Sequence, residues 1–174
     1  ETTALTLAWA LYLLSNHPEA AERVIAESEA VLGDREPTAA DYSALTYTRA
    51  VIQETMRLYP PVWGLIRIAD KPDNIGGVDV KVGDRIVLFG YSAQHNPKFW
   101  DEPEAFRPER WMDKSAKRQV KYSYIPFGAG KRSCIGGAMS QVENTLALSL
   151  LLRRFRPEYV GPVPAPINAT VTLT

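Results

Sequence analysis

The chain has 174 residues, with twenty lysines and arginines balanced by twenty aspartates and glutamates, so nothing in its total charge favours nucleic acid or an anionic membrane surface. At 45% hydrophobic and 23% charged residues it has the composition of a globular chain able to bury a core. Its single cysteine excludes an internal disulfide framework and a multi-cysteine zinc site, and suits a reducing compartment such as the cytoplasm.

The first apolar run, Ala4 to Leu14, is too short to cross a hydrocarbon layer of about 30 Å and lacks the flanks of a secretory signal, so the chain reads as soluble, with no membrane segment. There is no initiator methionine. The sequence opens inside a helical pattern and stops inside a strand-like alternation, INATVTLT at 167–174, so it reads as one partial domain over residues 1–174 of a longer protein.

Leu5, Trp9, Tyr12 and Leu13 recur at helical spacing, and Pro18 fits the first turn of a second helix running to about Gly33. Thr38 with Asp41 resembles a capping arrangement ahead of a third helix, whose stripe is Leu45, Val51, Ile52, Thr55, Leu58 and Tyr59 and whose end is Pro60-Pro61. From Val62 to about Tyr91, three short β-branched runs separated by Asn-Ile-Gly-Gly and Val-Gly-Asp turns predict a small sheet of hairpins. Residues 92–126 hold many prolines and aromatics without a period, and Trp63, Trp100 and Trp111 are expected to anchor such irregular structure. Met139, Val142, Leu146, Leu150 and Leu151 mark a last long helix to about Phe155.

The cysteine stands in FGAGKRSCIG, Phe127 to Gly136, just before that helix. There the positive end of the helix dipole, backbone N–H groups, Lys131 and Arg132 all favour a thiolate. The glycines allow positive φ and close backbone approach, which suits a loop folded under a flat bound group. Such a sulfur is either a nucleophile or a metal ligand. A nucleophile wants a histidine base, and the chain offers only His17, at a helix boundary, and His95, whose segment suggests packing. A lone thiolate needing no protein co-ligand is what a haem iron accepts.

The decapeptide resembles, residue for residue, the haem-binding signature of the cytochrome P450 family, with Phe127, Gly128, Gly130, Arg132, Cys134 and Gly136 in place. Three further segments resemble that family in the same order: Glu1-Thr2-Thr3, Glu54-Thr55-Met56-Arg57 and Phe106 to Trp111. The resemblance implies a mainly helical fold with a small β region, the C-terminal part of the family's architecture. It implies that Cys134 is the axial ligand of haem b, with Phe127 near the sulfur and Arg132 on a propionate. Arg67, on the strand after the third helix, would take another propionate, its alternative being a solvent-facing strand residue. Glu54, Arg57 and Arg110 would form a buried charge network, although Glu54 and Arg57 also fit a surface ion pair at i,i+3. Glu1 and Thr2 would relay protons during oxygen activation, where the other reading is an ordinary helix turn. Glu143 is expected to bond in the Cys loop.

The implied activity is insertion of one oxygen atom from O2 into a hydrophobic small molecule, with a ferredoxin or reductase as electron donor and no role for nucleic acid. A peroxide-using or hydroperoxide-rearranging enzyme and a non-catalytic haem-binding fragment are the rivals. Between Met112 and Cys134, Lys114, Lys117, Arg118, Lys121, Lys131 and Arg132 outnumber Asp113, a basic patch suited to an acidic electron carrier or simply a solvated face.

Overall fold

The computed structural model describes residues 1–112, 120–169 and 172. Four helices make the body: α1 (Thr2–Asn16), α2 (Pro18–Leu32), α3 (Thr46–Leu58) and the last long helix. Between α3 and that helix lie β1 (Leu65–Ile68), β2 (Asp73–Ile75), β3 (Val78–Val80), β4 (Arg85–Leu88) and the short α4 (Gly90–Gln94); α5 (Gly137–Arg154) closes the series. Mainly helical structure with a small β region is thus observed. No helix among the described residues is long and apolar enough to cross a membrane.

One apolar cluster holds the body together. Ala10 and Leu14 of α1, Val24 and Ile25 of α2, Val51, Ile52 and Met56 of α3, and Leu148 and Leu152 of α5 are all buried in it. Trp9 adds a flat stack on Tyr59 just beyond the end of α3, with ring centroids 4.2 Å apart. Phe127 and Phe106 pack on this cluster from outside, which ties the cysteine loop and the Phe106 segment to the same core.

The β region is a hairpin within a hairpin. β1 pairs antiparallel with β4, from Leu65 opposite Leu88 to Ile68 opposite Arg85, and β2 pairs with β3 between them as a separate two-stranded sheet. The expected single small sheet is therefore two, and the last strand stops at Leu88 rather than continuing to Tyr91. Beyond it Gly90–Gln94 turns helical.

Two other expectations change. Thr38 and Asp41 do form a capping arrangement, with Thr38 N donating to Asp41 Oδ2 at 2.8 Å, but it starts a 3₁₀ turn at Ala39–Ser43 and not α3. The first donors of α3 go instead to Glu27 of α2: Tyr47 N to Oε1 at 2.7 Å and Thr48 N to Oε2 at 2.8 Å, with the Thr46 and Thr48 hydroxyls donating to the same carboxylate. A remote carboxylate satisfies orphan N–H groups as well as a local cap does. In α5 the buried positions are Gly137, Asn144, Thr145, Leu148, Ser149 and Leu152, whereas Met139 is exposed. Thr145 and Ser149 go inside because their hydroxyls bond back to Gln141 O at 2.7 Å and Leu146 O at 2.8 Å.

Candidate haem-thiolate site

The network under the loops begins at α3. Glu54 has no exposed side-chain surface, and neither has Arg57. Arg57 donates Nε to Oε2 at 3.0 Å and a terminal nitrogen to Oε1 at 2.9 Å, while Arg110 donates Nε to Oε1 at 3.0 Å. The carboxylate also accepts Arg107 N at 3.0 Å and Trp111 Nε1 at 2.8 Å. The remaining Arg57 protons reach the carbonyls of Gln94, Pro103 and Ala105 at 2.6 to 3.1 Å. A buried carboxylate is tolerable only when so surrounded, and the surface i,i+3 reading is thereby excluded.

Sequence reasoning missed Gln94. It is 1% exposed; its amide nitrogen donates to Met56 O and Arg57 O, both at 3.0 Å, and its oxygen accepts Ile125 N at 3.3 Å. One side chain therefore closes the C-terminal end of α3 and holds the segment leading into Phe127. Trp100, 3% exposed, lies under both guanidinium groups and donates Nε1 to Ala93 O, so it anchors the irregular segment as expected. His95 stacks on Tyr91 at 4.0 Å and its Nδ1 bonds to Tyr91 O, a packing role.

The cysteine loop folds over Phe127, whose carbonyl accepts Cys134 N at 2.9 Å. Cys134 is exposed, three residues before α5. It opens onto a cleft of about 260 Å³ that is also lined by Thr2, Thr3 and Thr6 of α1, Met56, Leu65, Ile125 to Gly128, Arg132, Gly136 and Ser140. Gly128 has φ +72°, and a Cβ on it would meet Leu65 Cδ1 at 3.1 Å. Gly130 shares the positive φ but faces open space, and Gly136 has φ −84°, so the expected left-handed backbone does not hold for Gly136. The close approach there falls to Gly137, where a Cβ would sit 3.1 Å from Phe127 Cγ.

Three threonines face the cleft, and two of their hydroxyls are committed. Thr3 Oγ1 donates to Ser140 Oγ at 3.3 Å and Thr6 Oγ1 to Thr2 O at 3.2 Å, whereas the Thr2 hydroxyl has no hydrogen-bond partner among the described residues. Glu1 is the exposed residue that starts α1, and its side chain does not line the cleft. Arg132 lines it with no carboxylate paired to it among the described residues. Arg67 shares the half-buried face of β1 with Leu65 and donates to Ile66 O at 2.9 Å, beyond the cleft lining. Glu143 is exposed and bonds nothing in the loop, because helical rotation puts it outside the buried Asn144 stripe. Lys121 and Lys131 are exposed, and Asp113, Lys114, Lys117 and Arg118 of the basic patch lie outside the described residues.

A flat haem with a thiolate ligand fits this donor set. An accessible sulfur lies beside a glycine backbone, hydroxyls and apolar side chains line the rest, and the Arg132 guanidinium stands ready for an anion. The sequence profile of the family described as Cytochrome P450 matches residues 1–173. The chain belongs to the cytochrome P450 family. It is 41% identical over 164 residues to cyclooctat-9-en-7-ol 5-monooxygenase of Streptomyces melanosporofaciens, an alignment covering 94% of this chain and 35% of that protein. It is 37% identical to the chloroplastic protein LUTEIN DEFICIENT 5 of Arabidopsis thaliana over all of this chain and 30% of that one. Cytochrome P450 27C1 of Danio rerio is 38% identical over 97% of this chain and 31% of its own length. The chain thus spans about a third of the length of the relatives it matches.

Proposed function

We propose that this chain is the thiolate-bearing part of a haem monooxygenase that inserts one oxygen atom from O2 into a hydrophobic organic substrate, with electrons from a ferredoxin or reductase in the cytoplasm. The observation that carries the reading is the cleft shared by Cys134, Arg132, Phe127 and Thr2. Family relatives support it, the first of them named as a monooxygenase of cyclooctat-9-en-7-ol. When bound, haem b supplies the oxygen activation and electron storage that no side chain offers.

The residues of this chain do the rest. Cys134, as thiolate, holds the group from its loop, and Gly128 keeps the backbone clear on that side. Arg132 would neutralise one propionate from the cleft wall, and Arg67, outside that wall on the β1 face it shares with Leu65, would meet a second only by leaving Ile66 O. Thr2 holds a proton at Oγ1 on the α1 wall and Glu1 at the helix start replaces it. The Glu54, Arg57 and Arg110 network fixes the segments that carry the loop and does not touch the reacting atoms. The exposed Lys131, three residues before Cys134, and the exposed Lys121 steer an acidic donor.

The test is the absorption spectrum of the reduced protein under carbon monoxide, recorded beside Cys134→Ser. A strongly red-shifted Soret band lost in the variant is expected. Identical spectra for the two proteins would remove the thiolate assignment.

A further inference from the structure

The seam between α1 and α5 carries polar groups for which the haem reading has no use. Thr3 Oγ1 donates to Ser140 Oγ at 3.3 Å from one helix to the other, and Asn144 Nδ2 donates to the same oxygen at 3.3 Å from one turn further along α5. Asn144 is 1% exposed, and its Oδ1 has no hydrogen-bond partner among the described residues. A half-satisfied buried amide destabilises relative to an apolar side chain of similar size, so packing alone does not explain why Asn stands there.

What the amide does achieve is local. Ser140 lines the cleft within the first turn of α5, where its N–H bonds to Gly136 O at 2.9 Å, two residues from Cys134. Its oxygen has two lone pairs; Thr3 takes one and Asn144 the other. The serine oxygen is thereby fixed from two directions, and the Thr3 hydroxyl is tied to α5 at the edge of the cleft that both residues line. Thr2, next to Thr3 in the same turn of α1, lines the same cleft.

We propose that Ser140 and Asn144 are positioning residues: acting through Thr3, they hold the first turn of α1, and with it Thr2, at a set separation from the Cys134 loop. The proposal rests on the haem reading of the cleft. It goes beyond that reading by naming the contact that joins the threonine wall to the sulfur wall.

Two measurements separate it from that reading. In the purified protein, amide exchange at Leu5, whose N–H bonds to Glu1 O at 3.0 Å, and at the bonded amides that follow it in α1 should quicken roughly threefold in Ser140→Ala, the ratio one modest hydrogen bond is worth, and return to the original rate in Ser140→Thr. In the haem-loaded protein, Ser140→Ala and Asn144→Leu should keep the thiolate Soret band but shift the carbon monoxide C–O stretching frequency, which reports the polar surroundings opposite the sulfur. Asn144→Leu should keep or raise the melting temperature while still shifting that frequency, an outcome that a purely structural asparagine does not produce. Unaltered exchange together with an unaltered C–O stretch overturns the proposal. If the original protein shows no thiolate band, the haem reading fails, and the exchange measurement alone then decides whether Ser140 ties the two helices.

Discussion

At Glu54 five donors converge on one carboxylate with no exposed side-chain surface, so the charge is stabilised by its partners and by nothing else. Removing that charge strands two cations and an indole N–H. Glu54→Gln should therefore cost about 3–5 kcal/mol of unfolding free energy in denaturant titrations, against about 1 kcal/mol or less for an exposed pair; a loss of the smaller size would show that the network opens to water. Tyrosines report burial in another way. Burial pushes the phenols of Tyr47 and Tyr59 up to about 12, Tyr47 with help from the Glu109 charge and Tyr59 from Tyr12. Tyr124 is raised further by burial, and then by Glu54. A phenol that keeps its proton longer when folded contributes stability in full below the unfolded value of about 10, and loses it as pH rises through the folded value. Unfolding free energy should thus fall between about pH 10 and 12, and Tyr124→Phe should flatten part of that fall.

The helices themselves are legible in the sequence, but their buried faces and caps less so. The apolar stripe of α3 predicts that helix, and Val51, Ile52, Thr55 and Leu58 are indeed buried. Its cap is hidden, because Glu27 lies nineteen residues before Thr46 and meets it only once α2 packs beside α3. Glu27→Ala should cost about 1–2 kcal/mol, as loss of a good local cap does, and quicken amide exchange at Tyr47 and Thr48 while leaving the Arg57 end of the helix unchanged. In α5 the expected length holds and the expected face does not, since small hydroxyl residues that bond their own helix read as polar in sequence but pack as core. The same rotation exposes Glu143 and buries Asn144.

Across the whole molecule, the cleft is assembled from Thr2, Met56, Leu65, Ile125 and Cys134, segments far apart in the chain. Lys131 and, further back in the chain, Lys121 remain exposed. If they steer an acidic electron donor, Lys131→Glu should slow reduction of the haem-loaded protein at low salt, and the difference should shrink well above 0.1 M salt, as the screening length falls from about 10 Å at 0.1 M toward about 3 Å at 1 M; a salt-independent difference would point to another cause. The cysteine loop is recognisable from sequence alone because its chemistry is contiguous: ten residues hold the sulfur, the cation and the glycines that let the backbone turn. Glu54 and Arg57 are equally visible as a helical pair, yet their burial is undecided at that level, because a spacing of three says which side chains meet and nothing of what covers them. Folding supplies the cover, through Arg107, Arg110 and Trp111, and it brings Gln94 to the end of α3 and Ser140 to Thr3. Those contacts depend on how helices rotate and dock around one core, a property of the packed chain that no local run of residues records.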